Sequence, residues 1–277
     1  MIDDFSKAKP LVLVGCGHMG RALAAGWLKA GLEPSALLVV DPAAKPGLLV
    51  AVPDENYLSS AEGLTGLGAA KALVLAVKPQ AMDSVLASLK TSVEAETLVI
   101  SIAAGVTINQ IKQGLDGCGA PVRAMPNTPV AVGAGITGLV AGGDVTPTQK
   151  QLAVKLLDAV GTTVWVGTEA LMNAVTAVSG SGPAYVFYMV ECMAAAGEKQ
   201  GLLGDVAAKL ARQTIIGAAR LLEAEADVPA AELRQRVTSK GGTTAAALGM
   251  LMAKDGLAEL MEKAIEAAEK RGADLAG

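Results

Sequence analysis

The segment LVLVGCGHMG, residues 11–20, is the first place where residue types and spacing could do chemistry. Gly15, Gly17 and Gly20 fall as G-x-G-x-x-G directly behind an apolar run and ahead of RALAAGWLKAG. A strand that enters such a loop and leaves it as a helix can hold a diphosphate. The first glycine makes the tight turn, the second lets the backbone approach the pyrophosphate, and the third lets helix and strand pack closely. The anion then rests on the helix N-terminus, where unpaired N–H groups and the helix dipole favour negative charge. Cys16, His18 and Met19 share the loop and are assigned with its glycines to a dinucleotide. Asp41 ends the next apolar run, where a carboxylate would accept ribose hydroxyls and disfavour a 2′-phosphate. Lys45 is close enough along the chain to pair with such a phosphate, and Asp41 could equally cap its own turn, so NAD(H) and NADP(H) both stay open.

Further along, AVKPQ (residues 76–80) follows a third apolar run, at the strand end where open α/β sheets bind ligands. Ala76, Val77, Lys78 and Pro79 are assigned to the cofactor, and Lys78 also to chemistry, against the plain alternative of an exposed lysine on a turn. Ala103 and Ala104, behind TLVISI, are placed in the same crevice. MPNTP (125–129) fixes Asn127 between prolines, which suits an amide that must hold one orientation for cofactor or substrate, although it is also an ordinary turn. In SGSGPAY (179–185), Pro183 fits a first helical turn and Ser181 is either a cap or a substrate contact. Tyr185 and Tyr188 are expected in the core. His18 is the sole histidine, but it sits in the phosphate loop and is read as a loop contact. Cys16, Cys118 and Cys192 show no CxxC spacing, lack a nearby base and make no metal set, so they read as free thiols of a reducing compartment.

These residues need a scaffold. LVLVG, ALLVVD, ALVLAV, TLVISI, VRAM, GITGLVA and TTVWV are apolar strand candidates, separated by helical stretches such as 19–30 and 81–89. Continuous apolar strands of this kind imply βαβ units and a mostly parallel sheet buried on both faces. After about Val166 the pattern is helical to the end, broken at 201–204, Pro229, 241–242 and Gly256. The fold class is therefore α/β: a Rossmann-like doubly wound sheet over 1–166, followed by an all-α domain over 167–277. KLARQTIIGAARLLEAE, from Lys209, is apolar around much of its circumference and must be buried, which a second subunit would provide. With 277 residues, 52% hydrophobic and 3% aromatic, the core is built from Ala, Val, Leu and Met. A net charge of −4 argues against nucleic acid. No long charge-free apolar run suggests a membrane span. The opening MIDDFSKAKP lacks a signal-peptide pattern, so a cytoplasmic protein is expected.

The order GxGxMG, AVKPQ, MPNTP, SGSGPAY and VTSKGGTT (237–244) resembles the pyrroline-5-carboxylate reductase family over nearly the whole chain. The resemblance implies NAD(P)H-dependent reduction of the cyclic imine 1-pyrroline-5-carboxylate to L-proline. It places the substrate carboxylate on the backbone of residues 239–244, with Ser239, Gly241, Gly242 and Thr243 as contacts, and the Thr244 hydroxyl on the ring nitrogen. Two adjacent glycines let that backbone wrap an anion at a helix N-terminus. Thr243 is expected to cap the helix, and Glu225 to assist from the helix preceding the loop. Lys240 stands where the family usually has proline, leaving the loop less rigid or more positive. The resemblance also implies a homodimer, with a ring of dimers as a larger option. A β-hydroxyacid dehydrogenase would need a lysine and asparagine pair on one helix, which 183–200 does not offer. A non-catalytic dinucleotide-binding regulator would not need the glycine–threonine loop.

Overall fold

The computed structural model describes residues 2–64 and 70–275. It divides into two compact units: one runs to Gly180 and takes in the chain again from Glu269, and the other is Ser181–Ala268.

In the first unit, eight strands form one sheet among the described residues. They are β1 (Leu11–Val14), β2 (Leu37–Val40), β3 (Tyr57–Leu58), β4 (Ala72–Leu75), β5 (Leu98–Ser101), β6 (Ala120–Pro126), β7 (Gly135–Ala141) and β8 (Gly161–Trp165). Their order is β3-β2-β1-β4-β5-β6-β7-β8. Every pairing is parallel except β6 with β7, which is antiparallel. All seven apolar runs read from the sequence are strands. The eighth, β3, is only two residues long and gave no periodic signal.

Successive side chains of a strand point to opposite faces, and both faces are covered here. Leu11, Leu13, Val74 and Ile100 pack on one face with Leu23 and Trp27 of α1 (His18–Lys29) and Leu156 of α4 (Pro147–Asp158). Val12, Val14, Leu73 and Val99 pack on the other with Met82 and Leu86 of α2 (Met82–Leu89) and Ile111 of α3 (Ile108–Gly114). Trp27 is fully buried, and its indole N–H donates to the Leu156 carbonyl at 2.8 Å, tying α1 to α4. Truncating such a side chain to alanine costs about 3–5 kcal/mol. Helices α3 and α4 begin with reciprocal capping boxes, Thr107 with Gln110 and Thr146 with Gln149. A short α5 (Met172–Val175) leads into a π-helical turn at Thr176–Gly180.

In the second unit, α6 (Gly182–Lys199) packs against α7 (Gly204–Ala224), and α8 (Ala230–Arg236) and α9 (Thr243–Leu251) follow; α10 (Leu257–Leu275) begins in this unit, and its residues from Glu269 on belong to the first. Pro183 lies in the first turn of α6 as expected, but Ser181 makes no side-chain capping bond there. The predicted helix breaks at Pro229, 241–242 and Gly256 fall between helices, and so do residues 201–203, while Gly204 is already the first residue of α7. Within this chain alone the apolar circumference of α7 is not covered, and the expected cover was a second subunit. Ala207 and Ala211 are buried, whereas Leu210, Ile216, Leu221 and Leu222 of α7 are exposed. Tyr188 is 66% exposed rather than part of a core. Two helices alone cannot cover an apolar surface that runs around most of one of them. Among the described residues no helix is long and apolar enough to cross a membrane.

Candidate active site

The chain enters the sheet at β1, winds outward through β2 and β3, then returns to place β4 on the other side of β1. This reversal brings the loop after β1 beside the loop after β4, at the strand ends where a doubly wound sheet leaves a crevice. The Gly15 N–H donates to the Val40 carbonyl at 2.8 Å, and the Ala76 N–H to Val14 at 2.7 Å, fixing the two loops to the sheet.

Each glycine of the loop is required for a different reason. Gly15 has φ +93°, and a Cβ there would stand 2.6 Å from the Ala76 carbonyl oxygen. A Cβ at Gly20 would meet the Gly15 carbonyl oxygen at 2.1 Å, which shows how closely helix and turn approach. A Cβ at Gly17 would meet nothing within 4 Å. Space in front of Gly17, unlike the other two, is left for a ligand. Gly17 is also the N-cap of α1, with no side-chain capping bond and no acidic residue in the first turn. The leading N–H groups of a helix have no partner within it. A bare glycine N-cap facing open space therefore fits a dinucleotide diphosphate.

Around this turn, Cys16 and Gly20 are buried, Met19 is half-buried and His18 is exposed. A cavity of about 800 Å³ lies along the flank of α1, lined by His18, Arg21, Lys29, Val132 and Val160 among others, rather than over the glycine turn. Asp41 braces the loop: one carboxylate oxygen accepts the Cys16 N–H, and the other accepts the Ala43 N–H at 2.8 Å. Burial, then the Asp41 charge, pushes the Cys16 thiol up, so it is no nucleophile. The thiol also hydrogen-bonds the Tyr57 hydroxyl, whose own pKa is pushed up to about 12, first by burial and then by Cys16 and Asp41. Tyr57 was not visible as a site neighbour in the sequence, because a two-residue strand brings it there. Lys45 donates to the Val52 carbonyl at 2.5 Å and to Asp54 at 2.6 Å.

At the end of β4, Ala76 and Val77 are half-buried, while Lys78 and Pro79 are exposed. After β5, Ala103 is buried and Ala104 exposed. Asn127, 9% exposed, follows β6, and its side-chain carbonyl accepts the Ile136 N–H at 3.0 Å. That bond holds the amide in one orientation, with its NH2 group as the remaining donor.

The second set of residues lies on the helical unit. Residues 237–242 join α8 to α9. Gly241 has φ +74°, a conformation suited to glycine. Gly242 is the N-cap of α9, again without a side-chain cap or an acidic residue in the first turn. The Gly242 N–H donates to the Ser239 carbonyl at 3.1 Å, and a Cβ on Gly242 would crowd the Ser239 hydroxyl at 2.5 Å. Thr243 is thus the first helical residue and exposed, not the cap expected of it; Thr244 beside it is half-buried. Glu225 is placed differently from the sequence expectation. It ends α7, whereas α8 is the helix preceding the loop, and its carboxylate is ion-paired with Arg236 of α8. Ser181 stands half-buried at the start of α6.

Comparison with known proteins agrees with this geometry. Residues 169–275 match the family model for pyrroline-5-carboxylate reductase dimerisation. Residues 10–105 match the model for NADP oxidoreductase, coenzyme F420-dependent. A pyrroline-5-carboxylate reductase of Pseudomonas aeruginosa is 40% identical over 268 residues, covering 96% of either chain. The solved pyrroline-5-carboxylate reductase of Coxiella burnetii aligns with a TM-score of 0.87 at 37% identity, over 97% of this chain and 98% of that one. Plasmodium falciparum pyrroline carboxylate reductase, solved with NADP bound, aligns at 0.81 and 31% identity, over 98% of this chain and 99% of that one. Identity at this level across 96% of its length means that the chain belongs to the pyrroline-5-carboxylate reductase family.

Proposed function

We propose that the protein reduces 1-pyrroline-5-carboxylate to L-proline at the expense of NAD(P)H, the last step of proline biosynthesis, with the two glycine-capped helices dividing the work. Residues 1–166 hold the dinucleotide, and residues 167–277 hold the substrate and a second subunit. The observation that carries this reading is the pair of helices, α1 and α9, that start at glycine without a side-chain cap. Each leaves N–H donors for an anion, and the reaction has two: a diphosphate and a carboxylate.

When bound, the nicotinamide supplies two electrons and a proton equivalent to the imine carbon. The protein's own groups then have little acid–base work, because an imine that arrives protonated leaves as an amine already carrying its proton. Gly15, Cys16, Gly17, His18, Met19 and Gly20 seat the diphosphate, and Ala76 to Pro79 with Ala103 and Ala104 line the crevice beyond it. Asn127 offers its amide NH2, and Lys78 its ammonium, at that crevice. Ser239, Gly241 and Gly242 present backbone to the substrate carboxylate, with Ser181 and Thr243 as flanking contacts. The Thr244 hydroxyl meets the ring nitrogen as its charge changes. Glu225 acts on the loop through Arg236 rather than as a proton carrier. Catalysis is then mainly positioning of two reactants.

The protein works as a homodimer in the cytoplasm, where its thiols stay reduced. The exposed Phe187, Tyr188, Leu210 and Leu221 form the apolar surface a second copy would cover, and a ring of dimers is its larger assembly. The experiment is a turnover assay: purified protein, the cyclic imine and either reduced cofactor, followed at the nicotinamide absorbance. Cofactor binding without imine turnover would overturn the reading, and a monomer by light scattering at micromolar concentration would overturn the assembly.

A further inference from the structure

The end of β2 carries a choice between the two nicotinamide cofactors. In a doubly wound sheet the adenosine ribose lies over the end of the second strand, where a carboxylate accepts its hydroxyls and a cation accepts a 2′-phosphate. Asp41 follows Val40 at that point. Its two oxygens accept the Cys16 and Ala43 N–H groups, so the carboxylate is fixed over the glycine loop rather than swinging in solvent. A carboxylate oxygen has two lone pairs, and each keeps one for a ribose hydroxyl.

Lys45 is the cation of this loop that could offset the carboxylate and receive a phosphate. Its ammonium is already committed to the Val52 carbonyl and to Asp54, and its side chain is only 20% exposed. His18 and Arg21 stand on the first turns of α1, where the Arg21 Nε donates to the Gly17 carbonyl at 3.4 Å. The Arg21 charge reaches Cys16 and Tyr57 and opposes the rise in their pKa values. Tyr57, the first residue of β3, which pairs with β2, is a neutral hydroxyl bound to the Cys16 thiol. Among the described residues the Asp41 carboxylate therefore has no ion-pair partner, and Arg21 is the one cation whose charge reaches its neighbours Cys16 and Tyr57.

We infer that this chain prefers NADH to NADPH, and that Asp41 is the residue setting the preference. The Plasmodium falciparum relative was solved with NADP bound; the preference inferred for this chain rests on its own loop after β2. The inference rests on the dinucleotide assignment of the β1–α1 loop and not on which substrate is reduced.

The test is a binding titration without substrate, following dihydronicotinamide fluorescence as NADH or NADPH is added. Like charges held together across a binding site cost enough that NADH should bind about tenfold or more tightly than NADPH. Asp41→Asn keeps the size and one acceptor oxygen for the Cys16 N–H but removes the charge. It should tighten NADPH by about tenfold and change NADH by roughly threefold or less. Equal affinities in the unaltered protein, or tighter NADPH, would overturn the inference whether or not the variant folds. An NADH preference that survives Asp41→Asn, or an equal weakening of both cofactors, would show that Asp41 only braces the loop. Because no imine is present, either failure leaves the reductase reading standing, and failed turnover leaves this result standing.

Discussion

Two glycine loops open helices in this chain, and they are supported in opposite ways. Residues 15–20 hang from the middle of a sheet whose central strands are buried on both faces; the Gly15 N–H bonds the Val40 carbonyl, and beside it the Ala76 N–H bonds Val14. Residues 239–242 lie between the short α8 and α9, where Leu233 is the buried side chain of α8 and α9 has none. The first loop is complete within one chain. The second is shaped by its own backbone, through the Ser239–Gly242 turn and the left-handed Gly241. A cofactor that is always the same suits a rigid cradle. On the proposed division of work, a small substrate that must enter and leave suits the less buried loop.

Substitutions at the glycines break this comparison most severely. Gly20→Ala drives a methyl into the Gly15 carbonyl, backbone against backbone, and should cost about 3 kcal/mol of stability or more. Denaturant titration checks it, and an unchanged midpoint would mean the close approach is not needed. Gly17→Ala is the contrasting change: the methyl meets no protein atom, so stability should fall by under about 1 kcal/mol. Cofactor affinity should nevertheless drop on the order of a hundredfold, since the methyl stands in the diphosphate's place. A fluorescence titration decides this, and full affinity would remove the diphosphate from Gly17. The smallest effect concerns Cys16. Its burial and raised thiol pKa should make alkylation at pH 8 on the order of tenfold or more slower than in the urea-unfolded chain. Mass spectrometry after iodoacetamide reads this, and equal rates would show that the loop opens freely.

How much of this was legible depended on how local the cause was. Most of the apolar runs became strands because a strand buried on both faces needs apolar residues continuously, and little else in a sequence looks like that; TTVWV forms the largely exposed edge strand β8. The glycine loop was legible for the same reason: its demands are made by the turn itself. Tyr57 beside Cys16, Lys45 on Asp54 and Glu225 on Arg236 were not legible, since each depends on which partner a turn brings near. Thr243 was read as the cap of α9, a position the structure gives to Gly242. The sequence of α7 announced an apolar surface that needs a second subunit, and within this chain its Leu210 and Leu221 stay exposed.

The measurement closest to the central claim compares Thr244→Ala with Thr243→Ala, by steady-state kinetics with the cyclic imine and by cofactor titration. A hydrogen bond to a charged group is worth about 1.5–3 kcal/mol, so Thr244→Ala should lose roughly ten- to over a hundredfold in kcat/KM. Thr243, exposed and without a capping bond, should lose about threefold or less. Cofactor affinity should hold in both variants, because the first loop carries it. Equal kinetic losses at the two threonines, or a large loss of cofactor binding at Thr244→Ala, would contradict the division of work between the two loops.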